Sequence, residues 1–226
     1  MLKKLSIAAG VTLGLTMLVG IDQAKAALIV SPVDATATSE FTPGAEIGNT
    51  INQSGLSIGF TSGVDYFDTY LGLNPTHTTS FFGNEWFTNF QSAPQTVTYD
   101  LGSVLAIDRL ALWNDEADGG ISSFDILSSN DGTNFSTVLS GVSPIINPNF
   151  NRYPAEVIDF GSVVNAQFVR FEITGCEGST FCAIGEVAFA TAETAESVPE
   201  PTFLLGLLAV GAFGATSLKG KQKQEK

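Results

Sequence analysis

Residues 123–135 read Ser-Phe-Asp-Ile-Leu-Ser-Ser-Asn-Asp-Gly-Thr-Asn-Phe, and this stretch decides the fold class. An apolar-rich run ends at Asn130-Asp131-Gly132, a combination typical of tight hairpin turns. A second run, Phe135 to Leu139, follows at once. The stretch therefore predicts a β-hairpin.

Strand patterns of the same kind continue on both sides of this hairpin. The run Phe168 to Ile173 alternates, so Val169, Phe171 and Ile173 are expected to share one face. Short strands separated by Gly, Asn and Asp predict one all-β domain, an antiparallel sandwich or barrel. The remaining predicted strands are 96–102, 105–113, 157–160 and 184–189, two of which stop at Gly102 and Gly161.

The segment 35–95 is less regular and rich in aromatic residues. Its rings either supply an ordinary core from long loops, or some of them line a binding surface, because aromatic rings pack flat against sugar faces. Further on, residues 114–120 form an acidic stretch that is either a solvated turn or a weak cation site. The candidate ligand-binding residues are Tyr66, Tyr70, His77, Trp86, Asp115 and Asp118.

The middle of the chain is strongly acidic. Between Ala27 and Pro201 there are 21 Asp and Glu residues against three Arg and no Lys, a formal charge of −18. Such a surface repels phosphate backbones, so nucleic acid is not an expected partner. Cations, calcium above all, and neutral sugars are easier to accommodate. The 17 Phe residues of the chain argue against disorder despite this charge.

Both ends of the chain predict export to the cell surface or beyond. Residues 1–26 combine Lys3 and Lys4, an apolar run and a small-residue cleavage site, the pattern of a signal peptide that signal peptidase removes. An uncleaved anchor is the alternative. Residues 202–218 carry no charge and are followed by lysines, which predicts a membrane helix with a cytoplasmic tail. The small and acidic residues 190–198 predict a flexible linker to it.

The chain has two cysteines, Cys176 and Cys182. An exported protein meets an oxidising environment, so these two are expected to form a disulfide. A metal or redox pair is the alternative, but the spacing is wrong for either and no His or other Cys lies nearby.

In its middle, the chain resembles the discoidin family, also called coagulation factor 5/8 type C. The resemblance implies a galactose-binding-like, antiparallel jelly-roll β-sandwich, here expected over residues 27–189. Loops at one end of this sandwich are expected to hold the ligand. The phrases that carry it are 45–56, 98–102 (Thr-Tyr-Asp-Leu-Gly), 107–112, 124–135, 166–172 (Ala-Gln-Phe-Val-Arg-Phe-Glu) and 185–187 (Gly-Glu-Val).

The same resemblance implies a structural calcium site. Related jelly rolls join an early loop to a Glu on the last strand, and Glu186 matches that Glu. Asn52, Ser54 and carbonyls near Ile51 would complete the oxygen ligands that calcium requires. Asn52 stands where the family commonly has Asp, which predicts a weaker site. The alternative is that Glu186 is an ordinary surface or hydrogen-bonded residue.

The C-terminus resembles the PEP-CTERM sorting signal, which covers residues 199–226. Pro199, Glu200 and Pro201 precede the apolar span, and lysines follow it. The resemblance implies recognition by an exosortase, transient anchoring in the inner membrane and removal of the tail.

No catalytic motif stands out. His77 is the only histidine, and neither a Gly-x-Ser-x-Gly elbow nor a His-Glu-x-x-His motif is present. The chain is therefore predicted to be a non-catalytic binding module for carbohydrate or exopolysaccharide. The alternative is a structural or self-associating matrix protein without a small ligand.

Overall fold

The computed structural model describes residues 24–79, 82–115, 119–147, 151–178 and 180–195. They make up most of one compact unit, Lys25–Thr194. The second unit, Met1–Ala24 with Ala195–Lys226, lies almost wholly outside the described residues. The predicted signal peptide, PEP-CTERM motif and membrane helix fall there. Within the described ranges, no helix is long and apolar enough to cross a membrane.

Strands dominate the described residues. The two short helices are a 3₁₀ helix at Ile47–Ile51 and α1 at Phe67–Leu71. The strands are β1 Ala24–Lys25, β2 Ile29–Val30, β3 Asp34–Ala37, β4 Thr76–His77, β5 Trp86–Phe87, β6 Gln95–Asn114, β7 Ile121–Ser129, β8 Ser136–Val142, β9 Tyr153–Pro154, β10 Glu156–Cys176, β11 Ala183–Thr191 and β12 Thr194–Ala195.

Two long strands build both layers of the sandwich. The first part of β6 pairs with the last part of β10, as Val97 does with Phe171, and its second part pairs with the first part of β10, as Leu112 does with Glu156. The main sheet has the order β2-β11-β6-β10-β7-β8, with β3 also on β6 and β5 also on β11. The pairings between these strands are antiparallel, as predicted.

The predicted strand ends at Gly102 and Gly161 are wrong, because β6 and β10 continue through both glycines. Their φ angles are 80° and 73°, in the left-handed region that glycine adopts at little cost. The pairing of β6 with β10 is interrupted at both glycines, between Asp159 and Val164 on β10 and between Asp100 and Leu105 on β6, and it resumes beyond them. The structure likewise ends β11 at Thr191, within the stretch predicted as a linker.

The hairpin that decided the fold class is confirmed. Strands β7 and β8 pair on either side of the turn, and the Asp131 carboxylate accepts hydrogen bonds from the backbone N–H groups of Thr133 (2.9 Å) and Asn134 (2.8 Å). These donors favour the charged form and hold the pKa of Asp131 well below its usual range. The predicted alternation in β10 is also confirmed, since Val169 and Phe171 are buried.

The aromatic-rich segment contributes mainly to the interior. Phe67 and Trp86 are fully buried, and Phe60 and Tyr70 are nearly so. Phe60, Phe67 and Tyr70 belong to one apolar cluster with Trp113, and Trp86 belongs to the larger cluster between the layers. The ordinary-core interpretation is therefore correct for these four rings.

Candidate ligand-binding end of the sandwich

The exposed aromatic rings and the buried polar side chains described below lie towards one end of the sandwich. Strands β6 and β10 end there, at Asn114 and Cys176, and β7 and β11 begin there. The loops are tied together by backbone hydrogen bonds from Glu177 to Gly120 (2.7 Å) and from Ala183 to Gly119 (2.7 Å). We call this the loop end, meaning residues 82–94, 115, 119–120, 177–178 and 180–182 together with the side chains packed against them.

A chain of phenylalanine rings lies at the loop end. The Phe41 centroid is 6.2 Å from that of Phe82 and 5.6 Å from that of Phe90. The Phe181 centroid is 5.2 Å from that of Phe90 and 5.9 Å from that of Phe87. Phe82 is 60% exposed and Phe90 65% exposed. We call these five residues the phenylalanine platform.

Phe90 is held in an unusual conformation. Its φ is 49°, in the left-handed region that bulky side chains rarely adopt. Its backbone N–H donates to the Thr88 carbonyl at 3.0 Å. A large apolar side chain that is both exposed and in a rare backbone conformation points to a functional role.

A polar groove of about 560 Å³ borders the platform. The Ser54 hydroxyl joins the two features, because it donates to the Gly83 carbonyl at 2.8 Å, between Phe82 and Asn84 in sequence. The groove is lined by Ser54, Gly55, Leu56, Ser57, Thr78, Asn84 and Arg152.

Arg152 differs from the other two arginines of the domain. Arg109 pairs with Asp68 at 2.8 Å, and the Arg170 guanidinium lies 3.6 Å from the centroid of the Phe135 ring. Arg152 is exposed and makes no ion pair or hydrogen bond within the described residues. Its five N–H donors are therefore available to a ligand in the groove.

Beneath the groove lies a buried polar network centred on Tyr153. The Tyr153 hydroxyl lies 3.1 Å from Nδ1 of His77 and donates to Glu85 at 3.0 Å. It also lies 3.4 Å from a carboxylate oxygen of Asp115. His77, Glu85, Asp115 and Tyr153 are all at most 2% exposed. The network joins four separate segments of the chain, two of which, with Glu85 and Asp115, belong to the loop end.

Glu186 contacts the early loop directly, through a hydrogen bond to its backbone. The residue is fully buried on β11, and one of its carboxylate oxygens accepts the Gln53 N–H at 2.9 Å. Its other oxygen has no hydrogen-bond partner within the described residues. Burial raises the pKa of Glu186 well above its usual value, and the Gln53 N–H opposes part of that rise.

The other two residues of the expected calcium set lie in the same loop. The Asn52 side-chain oxygen accepts the Ser54 N–H at 2.8 Å. Within the described residues, no group of three or more His, Cys, Asp or Glu side chains converges on a metal position. A cation at this place would therefore depend on amide, hydroxyl and carbonyl oxygens beside Glu186.

The structure separates the remaining candidate residues. Trp86 is fully buried and donates from its indole to the Ser39 carbonyl at 2.9 Å. Tyr70 is also in the core, where burial raises its pKa above the usual value, and its hydroxyl donates to the Ile58 carbonyl. Tyr66 is 51% exposed but bridges Leu28, far along β11 from the loop end. Asp118 lies outside the described residues.

The candidate residues from the sequence do not include Phe41, Phe90, Phe181 or Arg152, although Phe41 and Phe90 belong to the segment 35–95, some of whose rings are given there as a possible binding surface. Phe90 stands between Asn89 and Gln91, and Phe181 stands in the short polar loop closed by the two cysteines. A lone aromatic residue in polar surroundings next to a disulfide is a usable signal of exposure. The grouping of Phe41 with them depends on tertiary contacts and has no sequence signal.

A comparison with family models matches residues 69–187 to the F5/8 type C domain. The chain belongs to the F5/8 type C domain family. In this F5/8 type C domain, the platform and the groove combine residues of the matched range, such as Phe90 and Arg152, with earlier ones, such as Phe41 and Ser54. No curated protein matches the chain significantly.

Solved structures share the fold. CpGH89CBM32-5 from Clostridium perfringens, in complex with GalNAc-β-1,3-galactose, is 19% identical, with a TM-score of 0.51 over 74% of this chain and 100% of that chain. CBM32-3 from a family 31 glycoside hydrolase of Clostridium perfringens is 18% identical, with a TM-score of 0.50 over 74% and 95% of the two chains. These similarities confirm the predicted all-β sandwich.

The predicted disulfide is also confirmed. Cys176 and Cys182 are bonded, with their Cα atoms 5.3 Å apart. The bond closes the loop that carries Phe181 and so belongs to the candidate site as well as to the fold.

Proposed function

We propose that this F5/8 type C domain is a non-catalytic, exported carbohydrate-binding module that holds extracellular polysaccharide at its loop end. The observation that carries the proposal is the phenylalanine platform, whose Phe82 and Phe90 rings are exposed beside a polar groove. A sugar ring has an apolar face and a rim of hydroxyls. The exposed phenylalanine rings complement the apolar face, and the polar groove complements the hydroxyls.

The platform would take the apolar face of the sugar. Exposing two large rings to water is unfavourable, and covering them with a ligand recovers hydrophobic free energy of about 25 cal/mol per Å². Stacking on Phe90 and Phe82 requires no charge on the ligand, which suits a domain whose formal charge of −18 repels polyanions.

The groove would take the hydroxyls. Arg152 offers N–H donors, and the hydroxyls of Ser57 and Thr78 can donate or accept. A few placed polar groups beside an apolar wall are the usual composition of a small-molecule site. The relatives described above include a complex with GalNAc-β-1,3-galactose, which agrees with a neutral sugar ligand for this chain.

The buried network supports a binding role rather than catalysis. The titratable side chains of the network, His77, Glu85 and Asp115, are all withdrawn from solvent. Gly55 lies between the His77 ring and the groove, so the imidazole does not reach a bound sugar. A general acid or base needs hydrogen-bond reach to its substrate.

Export and sorting complete the proposal. Cleavage by signal peptidase after Ala26, transient anchoring by residues 202–218 and exosortase recognition of Pro199-Glu200-Pro201 would deliver the domain to the cell surface or medium. Support comes from the sequence pattern of the two ends.

We also propose a structural calcium ion at Glu186. This proposal is supported by one buried carboxylate oxygen of Glu186, which lacks a hydrogen-bond partner within the described residues. A cation would supply the missing partner. Asn52, Ser54 and backbone carbonyls near Ile51 would supply further oxygens. The ion would tie the early loop to β11 and neutralise part of the acidic charge.

The proposal is tested with the exported protein and purified exopolysaccharide from its own cells. We expect saturable binding by isothermal titration calorimetry, and Arg152→Gln should weaken it at least threefold without changing the melting temperature. Ordered self-assembly of the protein with no polysaccharide binding would instead support the matrix-protein alternative.

A further inference from the structure

The loop that carries Phe181 is restrained at both of its ends. The disulfide joins Cys176 to Cys182, six residues apart. Next to these cysteines, Glu177 and Ala183 donate to the backbone of residues 119–120 at 2.7 Å each. A loop this short, closed covalently and hydrogen-bonded on both sides, leaves Phe181 few positions.

Thr88 binds this loop from the other side. Its backbone N–H donates to the Cys182 carbonyl at 3.0 Å, and its hydroxyl accepts the Cys182 N–H at 2.9 Å. Both residues are fully buried. Thr88 therefore satisfies both backbone groups of Cys182, the residue directly after Phe181.

Thr88 also holds Phe90. Its carbonyl accepts the Phe90 N–H at 3.0 Å, and its hydroxyl donates to the Gln91 carbonyl. These two bonds close the turn in which Phe90 has its left-handed φ of 49°. Phenylalanine rarely adopts this backbone conformation, and the two hydrogen bonds offset part of its cost.

Thr88 is thus hydrogen-bonded to both of the segments that carry Phe90 and Phe181. The rings of Phe90 and Phe181, whose centroids are 5.2 Å apart, come from segments about 90 residues apart in sequence, and Thr88 hydrogen-bonds the Phe90 segment to the Phe181 segment. Binding sites need groups held in the bound arrangement before the ligand arrives, because ordering them on binding lowers affinity.

We infer that Thr88 is the positioning residue of the phenylalanine platform, with the Cys176–Cys182 disulfide as its second restraint. Thr88 does not touch the ligand; it fixes where Phe90 and Phe181 present their rings. The inference rests on the proposed glycan-binding function.

The test separates positioning from simple stabilisation by comparing three variants with the wild-type protein. Thr88→Val removes the hydroxyl and keeps the shape, and Thr88→Ser keeps the hydroxyl. Ser129→Ala is the matched control, because the buried Ser129 hydroxyl likewise makes two hydrogen bonds to the backbone of a turn. It accepts the N–H groups of Asp131 at 3.2 Å and Gly132 at 3.0 Å, in the β7–β8 turn at the other end of β7. The melting temperature of each variant is measured first. Its polysaccharide affinity is then measured well below that temperature.

We expect Thr88→Val to weaken polysaccharide binding about tenfold, which corresponds to a binding-competent fraction of roughly one tenth. Thr88→Ser should stay within about twofold of the wild type. Ser129→Ala should lower the melting temperature and leave affinity unchanged. If Thr88→Val lowers only the melting temperature, as Ser129→Ala does, the positioning role is refuted.

A second measurement distinguishes failure of this inference from failure of the proposed function. Fluorine NMR of 4-fluorophenylalanine placed at position 90 reports the ring without any ligand. A single narrow resonance in the wild type that splits or broadens in Thr88→Val supports positioning, and identical spectra contradict it. Absence of polysaccharide binding by the wild type contradicts the proposed function, and the spectra then decide the positioning role alone.

Discussion

Gly55 lies directly against the imidazole of His77: a Cβ atom on Gly55 would lie well under 3.0 Å from Nε2, closer than real Cβ atoms pack. The contact couples the early loop that lines the groove to the buried network below it. Glycine is required here by the close approach of a ring, and not by its φ angle.

Gly55→Ala is therefore expected to displace His77 and to destabilise the domain by about 1–3 kcal/mol, the usual cost of overpacking. Because the clash is with one ring, the double variant Gly55→Ala/His77→Ala should be less destabilised than the sum of the two single variants, by about 1 kcal/mol or more. Urea unfolding of the four proteins measures this coupling. Strict additivity would show that the contact does not govern the cost.

Trp86 offers a second test, because the sequence made it a ligand candidate and the structure places it in the core. Trp86→Phe should lower the free energy of unfolding by roughly 1–3 kcal/mol, since the Ser39 carbonyl loses its buried donor. Chemical denaturation measures the change. Polysaccharide affinity should remain within twofold of wild type. A large loss of affinity at unchanged stability would show instead that Trp86 contacts the ligand.

The sequence predicts the fold well and the site only in part. Alternation in 168–173 and the turn at Asn130-Asp131-Gly132 are local patterns, so the strands they predict are present. Trp86 and Tyr70 show where sequence prediction of the site fails. The sequence pattern around an aromatic residue in a polar segment is the same whether its ring is buried or exposed. The meeting of Phe41, Phe90 and Phe181 joins distant segments, which no local pattern records.

Glu186 predicts a pH dependence of stability whose sign follows from burial. Its pKa is raised in the folded state, so its favourable contribution is complete below the unfolded value of about 4.3 and is lost as pH rises through the folded pKa. Without calcium, Glu186→Gln should therefore gain melting temperature relative to the wild type as pH increases. A constant difference across pH 4–9 would contradict the burial argument.

With calcium bound, the wild type should melt at a higher temperature than Glu186→Gln. Millimolar calcium is expected to raise the melting temperature of the wild type. At a hundredfold excess over Kd, the free energy of unfolding should increase by about 2.7 kcal/mol. Magnesium should do much less, because it demands a tighter octahedron. Glu186→Gln should respond equally and weakly to both ions. Equal calcium and magnesium shifts in the wild type would mean charge screening without a specific site.

Asp131 predicts the opposite pH dependence. Its pKa is lowered in the folded state by hydrogen bonds from Thr133 and Asn134, so its contribution is present above the unfolded value and is lost as pH falls through the folded one. Asp131→Ala should have a lower melting temperature than the wild type at pH 7, and the gap should narrow in acid. A gap that does not change with pH would show that the carboxylate charge is not what holds the turn.

The most direct measurement is the polysaccharide affinity of Phe90→Ala beside that of Tyr66→Ala. Both side chains are more than half exposed, at 65% and 51%, so neither substitution should change the melting temperature much, but only Phe90 lies on the platform. We expect Phe90→Ala to weaken binding at least tenfold, about 1.4 kcal/mol, and Tyr66→Ala to bind like the wild type. Equal affinities for all three proteins would contradict the claim that the phenylalanine platform is where this domain holds its glycan.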